Sequence, residues 1–144
     1  MEREPVPPRF IELDHTADVG VIVQGRTLAE LFANAGYALF ATIADLATVE
    51  EQVSYTVSAQ GEDWASLMHE WLSRLLRFFT LHGYLLCRFD IQELVPYQIQ
   101  AEVGGEPLDL DKHTFYTEIK GVTYHQLSVR QQGDGWESQI IFDV

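Results

Sequence analysis

Residues 63–91 read DWASLMHEWLSRLLRFFTLHGYLLCRFDI, and the change of period within this stretch decides the fold. From Trp64 to Phe79 the apolar residues Trp64, Leu67, Met68, Trp71, Leu72, Leu75, Phe78 and Phe79 recur at helical spacing, a single buried stripe. Asp63 is placed to cap the helix N-terminus, and Gly83 to end it in the left-handed conformation after His82. Beyond Gly83 the period becomes two: Leu85, Cys87, Phe89 and Ile91 alternate with other residues, as a half-buried strand requires. A long core helix feeding directly into a strand is the centre of the predicted architecture.

Working outward, Tyr97, Ile99, Ala101 and Val103 predict the next strand, broken by Gly104-Gly105. Glu106 to Lys120 reads as a long, irregular polar loop, a kind of segment that often carries function. Val122 to Arg130 predicts a strand, Gly133-Asp134-Gly135 a turn, and Trp136 to Phe142 a last strand. Toward the N-terminus, Val53 to Ala59 alternates as a strand that Gly61 closes. Leu28, Leu31, Phe32, Ala35, Leu39 and Ile43 predict an earlier helix, with Thr27 and Glu30 as a capping box. Phe10–Leu13 and Val19–Gln24 read as short strands around the turn Asp14-His15-Thr16-Ala17-Asp18, and residues 1–8, rich in proline, as an extended leader. The predicted fold is α+β: one domain over residues 1–144, two main helices packed on a mostly antiparallel or mixed β-sheet.

Charge and composition exclude several functions. The chain carries 22 Asp+Glu against 9 Lys+Arg, a formal net charge of −13, which opposes the phosphate neutralisation that direct nucleic-acid binding needs. A basic protein partner or cations suit it better. Cys87 is the single cysteine, so neither a disulfide framework nor a cysteine metal site can be built within one chain. No stretch suits a signal peptide or a membrane span, and a cytoplasmic location is the default expectation. There is no G-x-G-x-x-G, Walker loop or G-x-S-x-G. His69-Glu70 begins an H-E-x-x-H pattern that Ser73 breaks, and both residues are assigned to a solvated helix face.

Three places retain chemistry. Asp14 and Asp18 flank His15 in a turn between strands. At the other end of the chain, Asp143 stands beside Val144, whose α-carboxylate would add oxygens. If the strand after Asp18 lies near the last strand, these oxygens converge, and an oxygen-only donor set suits a hard cation. Lys120 lies at a loop-to-strand junction in a chain poor in bases, free to pair with those carboxylates or to enter a partner's active site; a surface ion pair is the simpler reading. His113 and His125 flank it and are expected to be hydrogen-bonded structural histidines.

These three places also carry a resemblance. His15-Thr16-Ala17-Asp18-Val19-Gly20, Glu118-Ile119-Lys120-Gly121-Val122-Thr123-Tyr124-His125 and Ile141-Phe142-Asp143-Val144, with Trp71-Leu72-Ser73-Arg74-Leu75-Leu76 between them, resemble the signatures of the archease family in order and spacing. Gly121 stands where the family often has alanine. The resemblance implies an activator, not an enzyme: a cofactor protein of the RtcB-type RNA ligase in tRNA splicing and RNA repair, which promotes guanylylation of the ligase from GTP and its repeated turnover. It implies a divalent metal site at Asp18, Asp143 and Val144, with Ca²⁺ foremost and Mg²⁺ or Mn²⁺ as alternatives. It makes Lys120, with Asp18 and Asp143, the residues that act on the partner, and His15, Asp14 and His125 their outer neighbours. Two other readings stand beside it: a stand-alone metal-dependent phosphohydrolase, and a chaperone or adaptor with a structural cation.

Overall fold

The computed structural model of the chain describes residues 9–14 and 18–144. The elements run β1 (Phe10–Asp14), β2 (Asp18–Gly25), α1 (Leu28–Ile43), β3 (Val53–Gln60), α2 (Trp64–His82), β4 (Tyr84–Val95), β5 (Gln98–Pro107), β6 (Gly121–Val122), β7 (Ser128–Gln132) and β8 (Gly135–Asp143), with a short 3₁₀ turn at Leu46–Thr48. The expected leader, residues 1–8, and the expected turn residue His15 lie outside the described residues.

Both helices start and stop for local reasons. The Thr27 side chain accepts the Glu30 N–H at the start of α1, but Glu30 Oε1 takes the Arg26 N–H at 3.4 Å, one residue earlier than a capping box requires. The complete capping box is at α2, where Asp63 accepts from the Ser66 N–H and Ser66 Oγ accepts from the Asp63 N–H. Gly83, at φ 70°, ends α2 in the left-handed region, where a Cβ would be strained.

The described strand pairings are all antiparallel and form two sheets. One has the order β1-β2-β8-β6, with β7 also pairing β8; the other is β3-β5-β4. α1 packs on β2 and β4, and α2 on β3, β6 and α1, so both sheets contribute to one core. Val21, Val23, Ile140 and Phe142 from the first sheet and Val57, Ala59, Ile99, Ala101 and Val103 from the second face it. Trp71 is fully buried at its centre and donates its indole N–H to the Phe32 carbonyl at 2.9 Å, tying α2 to α1.

The structure corrects three boundaries. Gly104-Gly105 does not end β5, which continues to Pro107. A Cβ on Gly105 would collide with the Leu85 carbonyl of β4, which requires glycine there, while one on Gly104 would meet only the movable Glu51 side chain. The expected strand from Val122 to Arg130 is two strands, separated at Thr123–Leu127. Thr123 Oγ1 accepts the His125 N–H, and Gln126 takes φ 54°, so a local turn displaces the sheet ladder there. The loop after β5 is also shorter and less free than its polarity suggests: it begins after Pro107, its expected first residue Glu106 is a buried residue of β5, and His113 within it is buried.

Candidate functional site

The first sheet brings the two distant aspartates together. β2 and β8 pair so that Asp18 lies directly opposite Asp143, and β6 pairs on the other side of β8 so that Gly121 also lies opposite Asp143. The Lys120 N–H donates to the Asp143 carbonyl at 2.7 Å. Directly opposed residues of an antiparallel pair present their side chains on one face, with Cβ atoms about 5 Å apart. Their neighbours Phe142 and Val122 face the core, so alternation turns Asp18 and Asp143 to the outer face. Asp143 and Lys120 are exposed, Asp18 is half-buried, and Val144 packs its side chain on the core beside them.

The donor set suits a hard cation. Two carboxylates on one sheet face, followed by the main-chain oxygen of Val144, offer oxygen alone. Among the described residues no group of three or more His, Cys, Asp or Glu side chains gathers around one point, so those two carboxylates need main-chain oxygen or water to complete a coordination shell. Lys120 is exposed and makes no ion pair among the described residues. Asp14 pairs with Val19, one register step from Asp18. His125 does not behave as a hydrogen-bonded structural histidine: its side chain is exposed and its ring makes no hydrogen bond among the described residues, because the Thr123–Leu127 turn holds it by its backbone only.

Two other expectations change. His69 does not lie on a solvated face but is half-buried; Glu70 keeps a partly exposed carboxylate beside Arg74, 3.7 Å away. The His69 ring donates from Nε2 to the Val122 carbonyl at 2.7 Å and stacks on Tyr124 with centroids 3.8 Å apart. Helical periodicity gave no sign of this, since β6 and the turn after it arrive from 53 residues away along the chain. His69 thereby holds the segment that follows Lys120.

The second change concerns Glu106, which gathers a structural cluster around the expected hydrogen-bonded histidine, His113. Glu106 accepts the Glu50 N–H at 2.6 Å, the His113 ring N–H at 3.0 Å and the Lys112 ammonium at 2.9 Å. His113 Nδ1 accepts the Asp109 N–H, which fixes Nε2 as the protonated nitrogen. Burial alone would push the Glu106 carboxyl up, but these three donors outweigh it and hold the group at about 2. Because the folded value is depressed, the stabilisation is full above the unfolded value near 4.5 and is lost as pH falls through about 2. Glu106→Gln should therefore cost about 2–3 kcal/mol at pH 7, a gap that closes toward pH 2. Urea titrations of both proteins across that range check it; a gap independent of pH would contradict the assignment.

A cleft of about 340 Å³ is lined by Ser58, Gln60, Arg74, Glu93 and neighbours on β3 and β5, and it includes none of Asp18, Lys120, Asp143 and Val144. No described helix is long and apolar enough to cross a membrane.

Comparison with known proteins shows the family and the fold. Residues 10–144 match the model of the Archease protein family (MTH1598/TM1083). A protein archease of Methanosarcina acetivorans is 37% identical over 140 residues, covering 94% of this chain and 96% of the relative. A protein archease-like of Drosophila melanogaster is 33% identical over 144 residues, covering 94% and 90%. The solution structure of Methanobacterium thermoautotrophicum protein 1598 superposes with a TM-score of 0.83 at 27% identity, over 95% of this chain and 99% of that one. The crystal structure of a Thermotoga maritima archease, described as a possible chaperone, shares the fold at a TM-score of 0.66 and 18% identity, over 100% of this chain and 98% of that one. With the α+β fold shared and the family model matched over residues 10–144, the chain belongs to the archease family.

Proposed function

We propose that this chain is a metal-dependent activator of an RtcB-type RNA ligase in the cytoplasm and is not itself an enzyme. One observation carries the reading: residues 125 positions apart, Asp18 and Asp143, are register partners, with Lys120 hydrogen-bonded through its backbone to the second. Asp18, Asp143 and the main-chain oxygen of Val144 would hold a divalent cation, Ca²⁺ foremost with Mg²⁺ or Mn²⁺ as alternatives, and so offer positive charge to phosphate oxygens. Lys120 adds a mobile ammonium at the same tip, suited to the charge of the GTP phosphates in the ligase site. Three strands fix the carboxylates before the partner arrives, so the site loses little freedom on docking. The acidic body favours approach to a basic, RNA-binding protein surface and disfavours RNA itself.

A stand-alone phosphohydrolase would need a general base near the carboxylates. The candidate base, His15, lies outside the described residues, and the cleft on β3, β4 and β5 includes neither Asp18 nor Asp143. An adaptor with a purely structural cation would have no use for Lys120, which makes no ion pair among the described residues, beside the site.

The test is multiple-turnover ligation of RNA bearing 2′,3′-cyclic phosphate and 5′-hydroxyl ends by purified ligase with GTP. Adding this chain should raise the number of turnovers per ligase, and Lys120→Ala should lower the maximal effect by about 10²-fold without weakening cation binding. No stimulation by the wild-type chain would refute the reading, and nucleotide hydrolysis without ligase would favour the enzyme.

A further inference from the structure

The activating tip has an apolar neighbour that no part of the cation site accounts for. α1 is about 24 Å long and packs back along β2, which spans about 26 Å, so its C-terminus returns to the level of Asp18. There Ala44 bridges to Phe115, and the Tyr116 N–H donates to the Ile43 carbonyl at 2.7 Å. Phe115 stacks on Phe79 near the end of α2, and the Leu108 N–H donates to the Gly83 carbonyl just past it. Four large apolar side chains are left in water around this end: Leu110 is 72% exposed, Leu81 69%, Tyr116 57% and Phe115 37%. Lys120 follows Tyr116 by four residues, at most about 14 Å of chain.

Leu110 is displayed on a rigid turn. Asp109 Oδ1 accepts the Asp111 N–H at 2.9 Å, and the Asp109 carbonyl accepts from the N–H groups of Lys112 and His113. The Asp109 N–H in turn donates to the buried His113 ring, whose other nitrogen donates to buried Glu106. An exposed leucine held by buried charge between the exposed carboxylates of Asp109 and Asp111 has little entropy to lose on being covered.

We propose that Leu110, Leu81, Phe115 and Tyr116 form the docking surface of this chain, and that its occupant is a protein surface with an apolar recess rimmed by Lys and Arg. The inference rests on the activator reading and assigns the contact that holds that partner while Lys120 acts on it. Charge complementarity selects the occupant. A second copy would set Asp109 and Asp111 against their own equivalents in a two-fold contact. Nucleic acid and anionic lipid would meet the same carboxylates. A basic protein surface pairs with them at the rim while the apolar residues fill the centre, the arrangement of most interfaces.

The experiment separates docking from action. Leu81→Ser/Leu110→Ser and Asp111→Lys change exposed positions and should leave the thermal midpoint and the cation affinity as in wild type. With the purified ligase, each should raise by about tenfold or more the chain concentration giving half-maximal activation, with the maximal activation retained at saturation. Isothermal titration should show the same loss of affinity. Wild-type stimulation that both variants reproduce at the same concentration overturns the surface and leaves the activator reading intact. Lack of wild-type binding and stimulation overturns both. A wild-type dimer in sedimentation that the double variant dissociates, with activation unmoved, assigns the surface to a second copy and overturns the proposed occupant.

Discussion

Asp143→Asn should stabilise the metal-free protein and at the same time abolish its stabilisation by a divalent cation. Asp18 and Asp143 are direct cross-strand partners on the outer face of the first sheet, and like charges in that relation oppose folding. Removing one charge at nearly constant shape should therefore raise the stability of the chelated protein by about 0.2–1 kcal/mol. The opposite sign is expected once the cation is present. A ligand bound only by the folded chain stabilises it by about 2.7 kcal/mol at a hundredfold excess over its dissociation constant, and an asparagine in place of one of two carboxylates removes most of that affinity. Asp18→Asn should behave alike, and the double variant should gain nothing further from Ca²⁺. Thermal unfolding with EDTA and with millimolar Ca²⁺, Mg²⁺ or Mn²⁺ reads both signs directly. A wild-type midpoint unmoved by all three cations would remove the metal from the mechanism.

The second large effect is in the core. Trp71→Ala should cost about 3–5 kcal/mol, because it deletes a fully buried indole and leaves a cavity between α1 and α2. A domain of this size holds about 5–15 kcal/mol in total, so the variant should be partly unfolded or aggregation-prone at 37 °C. Trp71→Phe keeps most of the volume and loses the 2.9 Å hydrogen bond to the Phe32 carbonyl, at a cost of about 1–2 kcal/mol. Urea unfolding at a constant m-value measures both. A Trp71→Ala cost below about 1 kcal/mol would mean that the helices pack independently of this side chain.

Much of the fold was legible because its signals are local. Asp63, Gly83 and the stripe from Trp64 to Phe79 specify α2 without reference to any other part of the chain. The alternation in β3 and β8 is equally self-contained. The failures have tertiary causes. Gly104-Gly105 read as a break, since the Leu85 carbonyl that excludes a Cβ at Gly105 comes from another strand. Glu106 read as a loop residue because nothing in a polar stretch reveals that Glu50 and Lys112 will satisfy a buried carboxylate; His113 is the hydrogen-bonded histidine that was expected. His69 read as solvated because its partners, Val122 and Tyr124, belong to a segment far along the chain.

The candidate site divides in the same way. Residue chemistry alone picked out Asp18, Lys120 and Asp143, since carboxylates beside strand ends and a rare lysine are visible in a list of letters, and their ordered spacing indicated the family. That Asp18 faces Asp143 in register, and that Lys120 joins them through the Asp143 carbonyl, depended on β8 pairing with β2 on one side and β6 on the other. Helical and strand periods are written within a few residues, but pairing between segments more than a hundred residues apart is set by which hydrophobic faces share one core.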